Sequence, residues 1–246
     1  MRLLLSGEGP TDLGSTRPVA GGYTFVPGPM GVMVDVLLQA RLGYSLLQVQ
    51  ENGGDCVRFV SESELAAAGK PGGILSPGVK FGKGNQFFTR NAQVLGRMAK
   101  ADSKAHRDPV IAVLFRDGDG TRSMPHGQWR EKFDSINRGF TLVDCDAGVP
   151  MVPRPKSEAW LLCALKTPPY QHCVGLEDAP GNDGSARSLK GQLEALVGNL
   201  PGADEQAQWV HIGRVDPARI EMPSFAAFAA ELDRAATAAG VPEGDI

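Results

Sequence analysis

Apolar residues along this chain fall into two patterns, short continuous runs and helical spacings, which alternate in sequence. Continuous runs such as PVIAVLF at residues 109–115 are typical of strands that are buried on both faces of a sheet. Apolar positions three and four residues apart, as in residues 29–42, predict helices between these runs. The predicted strands are residues 2–6, 45–50, 109–115, 140–143 and 149–152. The predicted helices are residues 29–42, 85–104, 128–137, 157–165, 186–198 and 223–239.

Glycine and proline interrupt these elements at residues 14–28 and 67–86, where we expect loops. The alternation of strands with helices predicts an α/β fold whose sheet is mainly parallel and is flanked by helices. In such folds, ligands bind beyond the carboxyl ends of the strands. The polar residues that directly follow the predicted strands are therefore the first candidates for a functional site.

The composition is that of an ordinary globular protein. The 246 residues are 42% hydrophobic and 22% charged, with 25 basic and 28 acidic side chains. This balance excludes an acidic disordered chain and a strongly basic nucleic-acid-binding tail. The apolar stretch near the N-terminus has only three leucines, whereas a membrane span needs about 20 apolar residues. We therefore expect a cytoplasmic protein that does not enter a membrane.

The cysteines and histidines do not form a recognisable metal or disulfide pattern. Cys56, Cys145, Cys163 and Cys173 are scattered, without a CxxC pair, and the four histidines lack ligand spacing. We expect four buried thiols in a reducing compartment, and no zinc site.

Charge is distributed unevenly along the chain. Residues 78–107 carry seven basic side chains and one acidic one, whereas residues 177–246 carry twelve acidic and five basic ones. Along the helix predicted for residues 85–104, basic residues recur every seven positions, opposite its apolar side. Such a row of cations suits a phosphate backbone, although it also fits an ordinary solvated helix face. The candidate nucleic-acid-binding residues are Lys80, Lys83, Arg90, Arg97 and Lys104.

Acidic residues follow two of the predicted strands. Glu8 and Asp12 lie in GEGPTD after the first strand, and Asp117 and Asp119 lie in RDGDG after residues 109–115. Carboxylates that meet at one sheet edge repel each other unless a cation neutralises them. Oxygen ligands without cysteine or histidine suit Mg²⁺ or Mn²⁺. The alternative is that Asp-Gly-Asp-Gly forms only a turn.

These acidic motifs resemble the Toprim (topoisomerase–primase) domain, in which a glutamate follows the first strand and Asp-x-Asp follows a later, central strand. Glu8 and Asp117/Asp119 occupy these positions. The opening resembles the overcoming-lysogenisation-defect family of nucleases and small stand-alone bacterial proteins, where an acid such as Asp12 often follows four residues after the glutamate. The resemblance covers residues 1–200.

The resemblance extends to two weaker matches and implies a domain division. Glu158 in KSEAWLLCAL and Lys190 in ARSLKGQL match later family positions, although Glu158 also suits a helix start and Lys190 a solvated helix face. A Toprim-like (Rossmann-like) catalytic core would cover residues 1–165 with an insertion at about 52–105. A helical C-terminal extension would cover residues 166–246.

The resemblance implies hydrolysis of nucleic-acid phosphodiester bonds with Mg²⁺ or Mn²⁺, in bacterial defence against phage or plasmids. The resemblance also implies an ATPase partner, and any ATP hydrolysis would come from that partner because the chain has no GxxxxGK[ST] motif. Lys156 or Lys190 would stabilise charge on the phosphate. The implied catalytic residues are Glu8, Asp117, Asp119 and Lys190. The implied metal ligands are Glu8, Asp12, Asp117, Asp119 and Glu158.

Two other functions fit the sequence. DGDGT at residues 117–121 also resembles the motif of haloacid dehalogenase-like phosphatases, in which Asp117 would be the nucleophile. That assignment leaves Glu8 unexplained and lacks the later acidic motif. The other alternative is a binding subunit that keeps the Toprim fold without catalysis.

Overall fold

The computed structural model describes residues 1–8, 11–19, 22–69, 85–118, 126–199 and 201–243. Its strands form a four-stranded sheet and a separate two-stranded ribbon. The strands are β1 (Arg2–Gly7), β2 (Gly14–Val19), β3 (Gly22–Pro27), β4 (Val57–Val60), β5 (Val110–Phe115) and β6 (Gly148–Met151).

Helices account for most of the remaining described chain. They are α1 (Pro29–Leu42), α2 (Leu46–Glu51), α3 (Glu62–Ala68), α4 (Asn85–His106), α5 (His126–Thr141), α6 (Glu158–Leu165), α7 (Leu189–Val197), α8 (Ala203–His211) and α9 (Pro223–Ala238). Two short 3₁₀ helices, Cys173–Asp178 and Pro217–Arg219, lie in the C-terminal part.

The four-stranded sheet has the order β4-β1-β5-β6, and each neighbouring pair is parallel. In register, Leu5 of β1 lies between Phe59 of β4 and Val113 of β5. All four strands therefore end at the same edge of the sheet. This parallel sheet flanked by helices confirms the predicted α/β class.

The two faces of the sheet bury two separate cores, because side chains alternate along each strand. One face, which carries Val113 and Phe115, packs against α1, α6 and the C-terminal helices α8 and α9. The other face, which carries Ala112 and Leu114, packs against α3, α4 and α5. The same alternation sends neighbouring residues at the end of β5 to opposite faces.

The prediction of a loop at residues 14–28 is wrong. It forms the ribbon in which β2 and β3 pair antiparallel, with Pro18 opposite Tyr23. Proline is tolerated in a two-stranded ribbon because its nitrogen need not donate to a neighbour. The glycine and proline content of this segment therefore concealed two strands.

Two predicted strands are helical instead. Residues 45–50 lie mainly in α2, because the Ser45 hydroxyl accepts from the Gln48 N–H and the Asp35 carboxylate accepts from the Leu46 N–H at 2.7 Å. These bonds satisfy N–H groups that open the helix. Residues 140–143 form the end of α5 and the turn after it, with Phe140 and Val143 both in the core beside α4.

In addition to β2, β3 and α2, the sequence prediction lacks two helices and one strand. They are α3, α8 and β4, whose four residues are too few to show a clear period. The strand β4 lies within the segment 52–105 that we expected to be an insertion, yet it pairs with β1 in the sheet. The division into domains stays a prediction.

The cysteine prediction is wrong for two of the four residues. Cys163, near the end of α6, and Cys173, at the start of a 3₁₀ helix, form a disulfide with their Cα atoms 5.2 Å apart. The turn between them brings together residues that show no pairing pattern in sequence. Cys56 and Cys145 are free and buried, and burial raises the pKa of the Cys145 thiol to about 11.

The described helices also bear on the membrane prediction. None of those within the described ranges is both long enough and apolar enough to cross a membrane.

Candidate active site

Charged residues from three neighbouring strands meet at the carboxyl edge of the sheet. Glu8 directly follows β1, Asp117 comes two residues after β5, and Glu158 begins α6 after β6. Because the strands are parallel, these positions share one edge, which is where α/β folds bind ligands.

Glu8 connects the ends of β1 and β5. Its Oε1 accepts a hydrogen bond of 2.8 Å from the backbone N–H of Asp117. Its Oε2 lies 3.5 Å from Nη1 of Arg116. Glu8 is thus held beside both residues that follow β5.

Asp117 connects β5 to the start of α6. Its Oδ1 accepts a hydrogen bond of 3.0 Å from the Ser157 backbone N–H. The Ser157 hydroxyl donates to Oδ1 of Asp12. Ser157 therefore joins the acidic loop after β1 to the one after β5, although 145 positions separate it from Asp12.

Glycine allows the close backbone approaches on which this site depends. A Cβ at Gly118 would lie 2.5 Å from the Pro153 carbonyl oxygen, which accepts the Gly118 N–H at 3.0 Å. A Cβ at Gly28 would lie 2.3 Å from the Asp12 carbonyl oxygen. The N–H of Met30 donates to that same oxygen at 2.9 Å. The first residues of α1 thus hold the backbone at Asp12, and the segment that follows β6 holds the turn after Asp117.

The electrostatics of the site disfavour charge on Asp117. Burial raises its pKa well above the ordinary value, and the nearby carboxylates of Asp12, Glu158 and Glu8 raise it further. The hydrogen bond from the Ser157 N–H acts in the opposite direction. The pKa of Asp117 is therefore raised because negative charges converge where water is scarce.

Glu158 is in a similar environment. Burial raises its pKa, and its own backbone N–H, which hydrogen-bonds the carboxylate, opposes that rise. The Asp12 carboxylate raises the pKa further, and Lys156 lowers it. Within the described part of the chain, Oε2 of Glu158 is buried and has no hydrogen-bond partner.

The donor set fits a hard divalent cation chemically. Glu8, Asp12, Asp117 and Glu158 offer carboxylate oxygens, which Mg²⁺ and Mn²⁺ prefer, and the buried Oε2 of Glu158 has an unused lone pair. Among the described residues, however, no three acidic, histidine or cysteine side chains are already grouped as ligands of one ion. Binding an ion would therefore draw these oxygens closer together. Asp119, the remaining candidate ligand, lies outside the described residues.

Three residues at the site escaped the sequence analysis. Ser157 joins Asp12 and Asp117, and Arg116 is buried beside Glu8. Lys132 on α5 donates from Nζ to the carbonyl oxygens of Asp117, at 2.7 Å, and Gly118, at 3.1 Å. The sequence offered a signal only for Arg116. An arginine that directly follows a long apolar strand lies beside the acidic residues that come after it.

The two lysines that were predicted to stabilise charge on the phosphate lie in different surroundings. Lys156 forms an ion pair of 2.9 Å with Asp183, close to the negative charge of Glu158. Lys190 is half-buried on α7, and its side chain makes no hydrogen bond or ion pair with another residue of the described segments. Nothing in the described contacts joins Lys190 to the acidic residues.

The predicted nucleic-acid-binding residues are described only in part. Arg90, Arg97 and Lys104 are exposed on α4, and helical spacing places them along one side of it. Lys80 and Lys83 lie outside the described residues.

Comparison with known proteins adds no relative, since no protein-family model, no curated protein and no solved structure matches the chain.

Proposed function

We propose that this protein is a Toprim-type nuclease that hydrolyses phosphodiester bonds of nucleic acid with the help of Mg²⁺ or Mn²⁺. One observation carries the proposal. Glu8, Asp117 and Glu158 follow three neighbouring strands, and burial raises the pKa of Asp117, which the negative charges of Asp12, Glu158 and Glu8 raise further. Such repulsion costs folding free energy, and a bound cation would remove that cost.

The residues that would hold the cation are Glu8, Asp12, Asp117 and Glu158, with Asp119 as a further ligand from the sequence pattern. When bound, a divalent ion in such a site polarises the phosphate and stabilises negative charge on the departing oxygen.

Glu8 is the proposed base of the reaction. Its side chain is 43% exposed, so water reaches it, and the Asp117 N–H fixes its orientation. In hydrolysis, a bond forms between the water oxygen and phosphorus while the bond from phosphorus to the ester oxygen breaks. Glu8 accepts the proton that the water loses, and the departing oxygen takes a proton from solvent.

The exposed cations on α4 support nucleic acid as the substrate. Arg90, Arg97 and Lys104 lie on the helix that covers the same face of the sheet as Arg116. Cations in a row neutralise successive phosphates and make binding weaken as salt increases. A role in bacterial defence, in the cytoplasm and beside an ATPase partner, belongs to this proposal through the family resemblance.

The same geometry disfavours the phosphatase alternative. An aspartyl-phosphate mechanism at Asp117 has no need of a glutamate after β1, yet Glu8 is hydrogen-bonded to the Asp117 backbone. Dependence on Glu8 therefore separates the two mechanisms.

We expect Glu8→Gln to lower cleavage of single-stranded or plasmid DNA, or of RNA, by about 10²-fold or more in Mg²⁺ or Mn²⁺. The amide still accepts the Asp117 N–H but cannot take a proton. Gel-based cleavage rates measure the effect, and Glu194→Gln, an exposed change on α7, is the matched control.

Unchanged cleavage in Glu8→Gln would contradict the proposed role of Glu8. Release of phosphate from small phosphomonoesters, with a phosphorylated Asp117 and no dependence on Glu8, would instead establish the phosphatase.

A further inference from the structure

Arg116 is a buried cation whose hydrogen-bonding capacity is mostly unused. Its side chain is 1% exposed. Nη1 lies 3.5 Å from Glu8 Oε2 and 3.3 Å from Glu62 Oε1. Within the described residues, neither Nε nor Nη2 has a hydrogen-bond partner. A buried donor that lacks a partner costs free energy, so these two N–H groups are available to a ligand.

The two unsatisfied nitrogens lie on the same edge of the guanidinium. Their N–H bonds point side by side, and this is the pair with which arginine binds two oxygens of one carboxylate or phosphate. Both described carboxylates near Arg116 lie instead at Nη1. Among the residues that the structure describes, none places an oxyanion at the edge that is best suited to one.

The position of this edge follows from the strand that carries Arg116 and from the side chains beside it. The Phe87 ring lies against the guanidinium, with the ring centroid 5.3 Å from Cζ of Arg116. Strand alternation places Arg116 on the face of α4, opposite to the Asp117 side chain. Glu8 lies between the two, since it contacts Arg116 and the Asp117 backbone. An anion on Arg116 would thus lie beside the acidic site and on the side of the basic helix.

The three described side chains that contact the Arg116 guanidinium themselves lie at the surface. Glu8 is 43% exposed, Glu62 is 47% exposed and Phe87 is 46% exposed. Because the guanidinium is buried, a ligand would reach it only after such a side chain rotates, and all three side chains already extend into solvent.

We propose that Arg116 binds a backbone phosphate of the nucleic-acid substrate through Nε and Nη2. This inference rests on the proposed function, because it names the residue that positions the phosphate there. It also explains why an arginine stands between the last apolar residue of β5 and the acidic turn.

Binding of a fluorescently labelled single-stranded oligonucleotide, as DNA and as RNA, tests the assignment by anisotropy in EDTA. Arg116→Lys keeps the charge but loses the paired donors, and we expect it to weaken binding about tenfold or more. Arg58→Lys is the matched control, because Arg58 lies on β4 and faces Asp102 at 3.9 Å. We expect that control to bind within about twofold of the unchanged protein.

Replacing a buried arginine can also unfold the protein, so a second variant leaves Arg116 in place. Glu62→Gln removes a carboxylate 3.3 Å from Arg116, and we expect it to tighten oligonucleotide binding by about two- to fivefold. Unchanged binding in folded Arg116→Lys, or no gain in Glu62→Gln, would overturn the proposal.

Two further results separate this inference from the nuclease proposal. If Arg116→Lys loses binding while the unchanged protein cleaves nothing in Mg²⁺ or Mn²⁺, phosphate recognition stands and the nuclease proposal falls. Inorganic phosphate, added as a competitor, tests the source of the ligand. If inorganic phosphate displaces the oligonucleotide when the two are present at the same concentration, the assignment to a nucleic-acid backbone would be overturned.

Discussion

We expect Asp117→Asn to lower metal-dependent cleavage by about 10³-fold or more and, at the same time, to stabilise the metal-free protein at neutral pH. The loss of cleavage follows because the amide cannot supply the charge that holds a cation. The gain in stability follows because the buried carboxylate is repelled by Asp12, Glu158 and Glu8, whereas a neutral amide is not.

The raised pKa of Asp117 also determines how the stability of the protein changes with pH. The pKa of Asp117 in the folded protein is raised above the ordinary value of 3.8. Between that value and the raised one, the folded state binds more protons than the unfolded state, so stability falls as pH rises through this interval. Above the raised pKa, Asp117 is ionised in the folded protein and destabilises the folded state by its full amount. Asp117→Asn removes this contribution, so the variant should lose less stability as pH rises.

Chemical denaturation in EDTA at several pH values measures this effect, with Asp146→Asn, an exposed change, as the matched control. Mg²⁺ should stabilise the unchanged protein and the control, but not Asp117→Asn, since ligands that bind only the folded state stabilise it. A variant that is less stable than the unchanged protein at pH 7, or that gains as much from Mg²⁺, would contradict the account.

We expect Trp160→Ala to lower the free energy of unfolding by about 3–5 kcal/mol, the largest effect on stability among these predictions. Trp160 lies on α6 and is fully buried. Its ring centroid lies 4.9 Å from that of Phe225 and 5.7 Å from that of Phe228, both on α9. Its Nε1 donates to the Ser224 hydroxyl at 2.9 Å. Truncation leaves a cavity between α6 and α9 and an unsatisfied hydroxyl.

The conservative variant Trp160→Phe keeps most of the aromatic packing and should cost less, about 1–2 kcal/mol. Urea denaturation followed by circular dichroism compares the two. A loss below about 1 kcal/mol in Trp160→Ala would show that α9 does not secure α6. The result matters for the site, because α6 begins with Glu158, and Ser157, the residue before the helix, donates its backbone N–H to Asp117.

The sequence predicts the centre of this fold well and its periphery poorly. The apolar runs that form β1 and β5 are long enough to be recognised, and β1 and β5 are the two central strands. The ribbon of β2 and β3 depends on pairing between its own strands, which its glycines and prolines conceal. The helix α2 depends on the buried carboxylate of Asp35, and no local pattern shows that contact.

The candidate site shows the same limit. Glu8, Asp12 and Asp117 are predictable because each follows a recognisable strand. Ser157 is not, because its contact with Asp12 exists only after β6 has paired with β5. The role of Arg116 requires knowledge of which face of β5 it occupies and how few of its donors are bonded.

The most direct test of the central claim is the position of bound Mn²⁺, located by its anomalous scattering in crystals grown with the ion. We expect Mn²⁺ between the ends of β1 and β5, with carboxylate oxygens of Glu8 and Asp117 among its ligands and Glu158 or Asp12 completing the set. Mn²⁺ bound elsewhere, or an acidic site that stays empty at millimolar Mn²⁺, would contradict it.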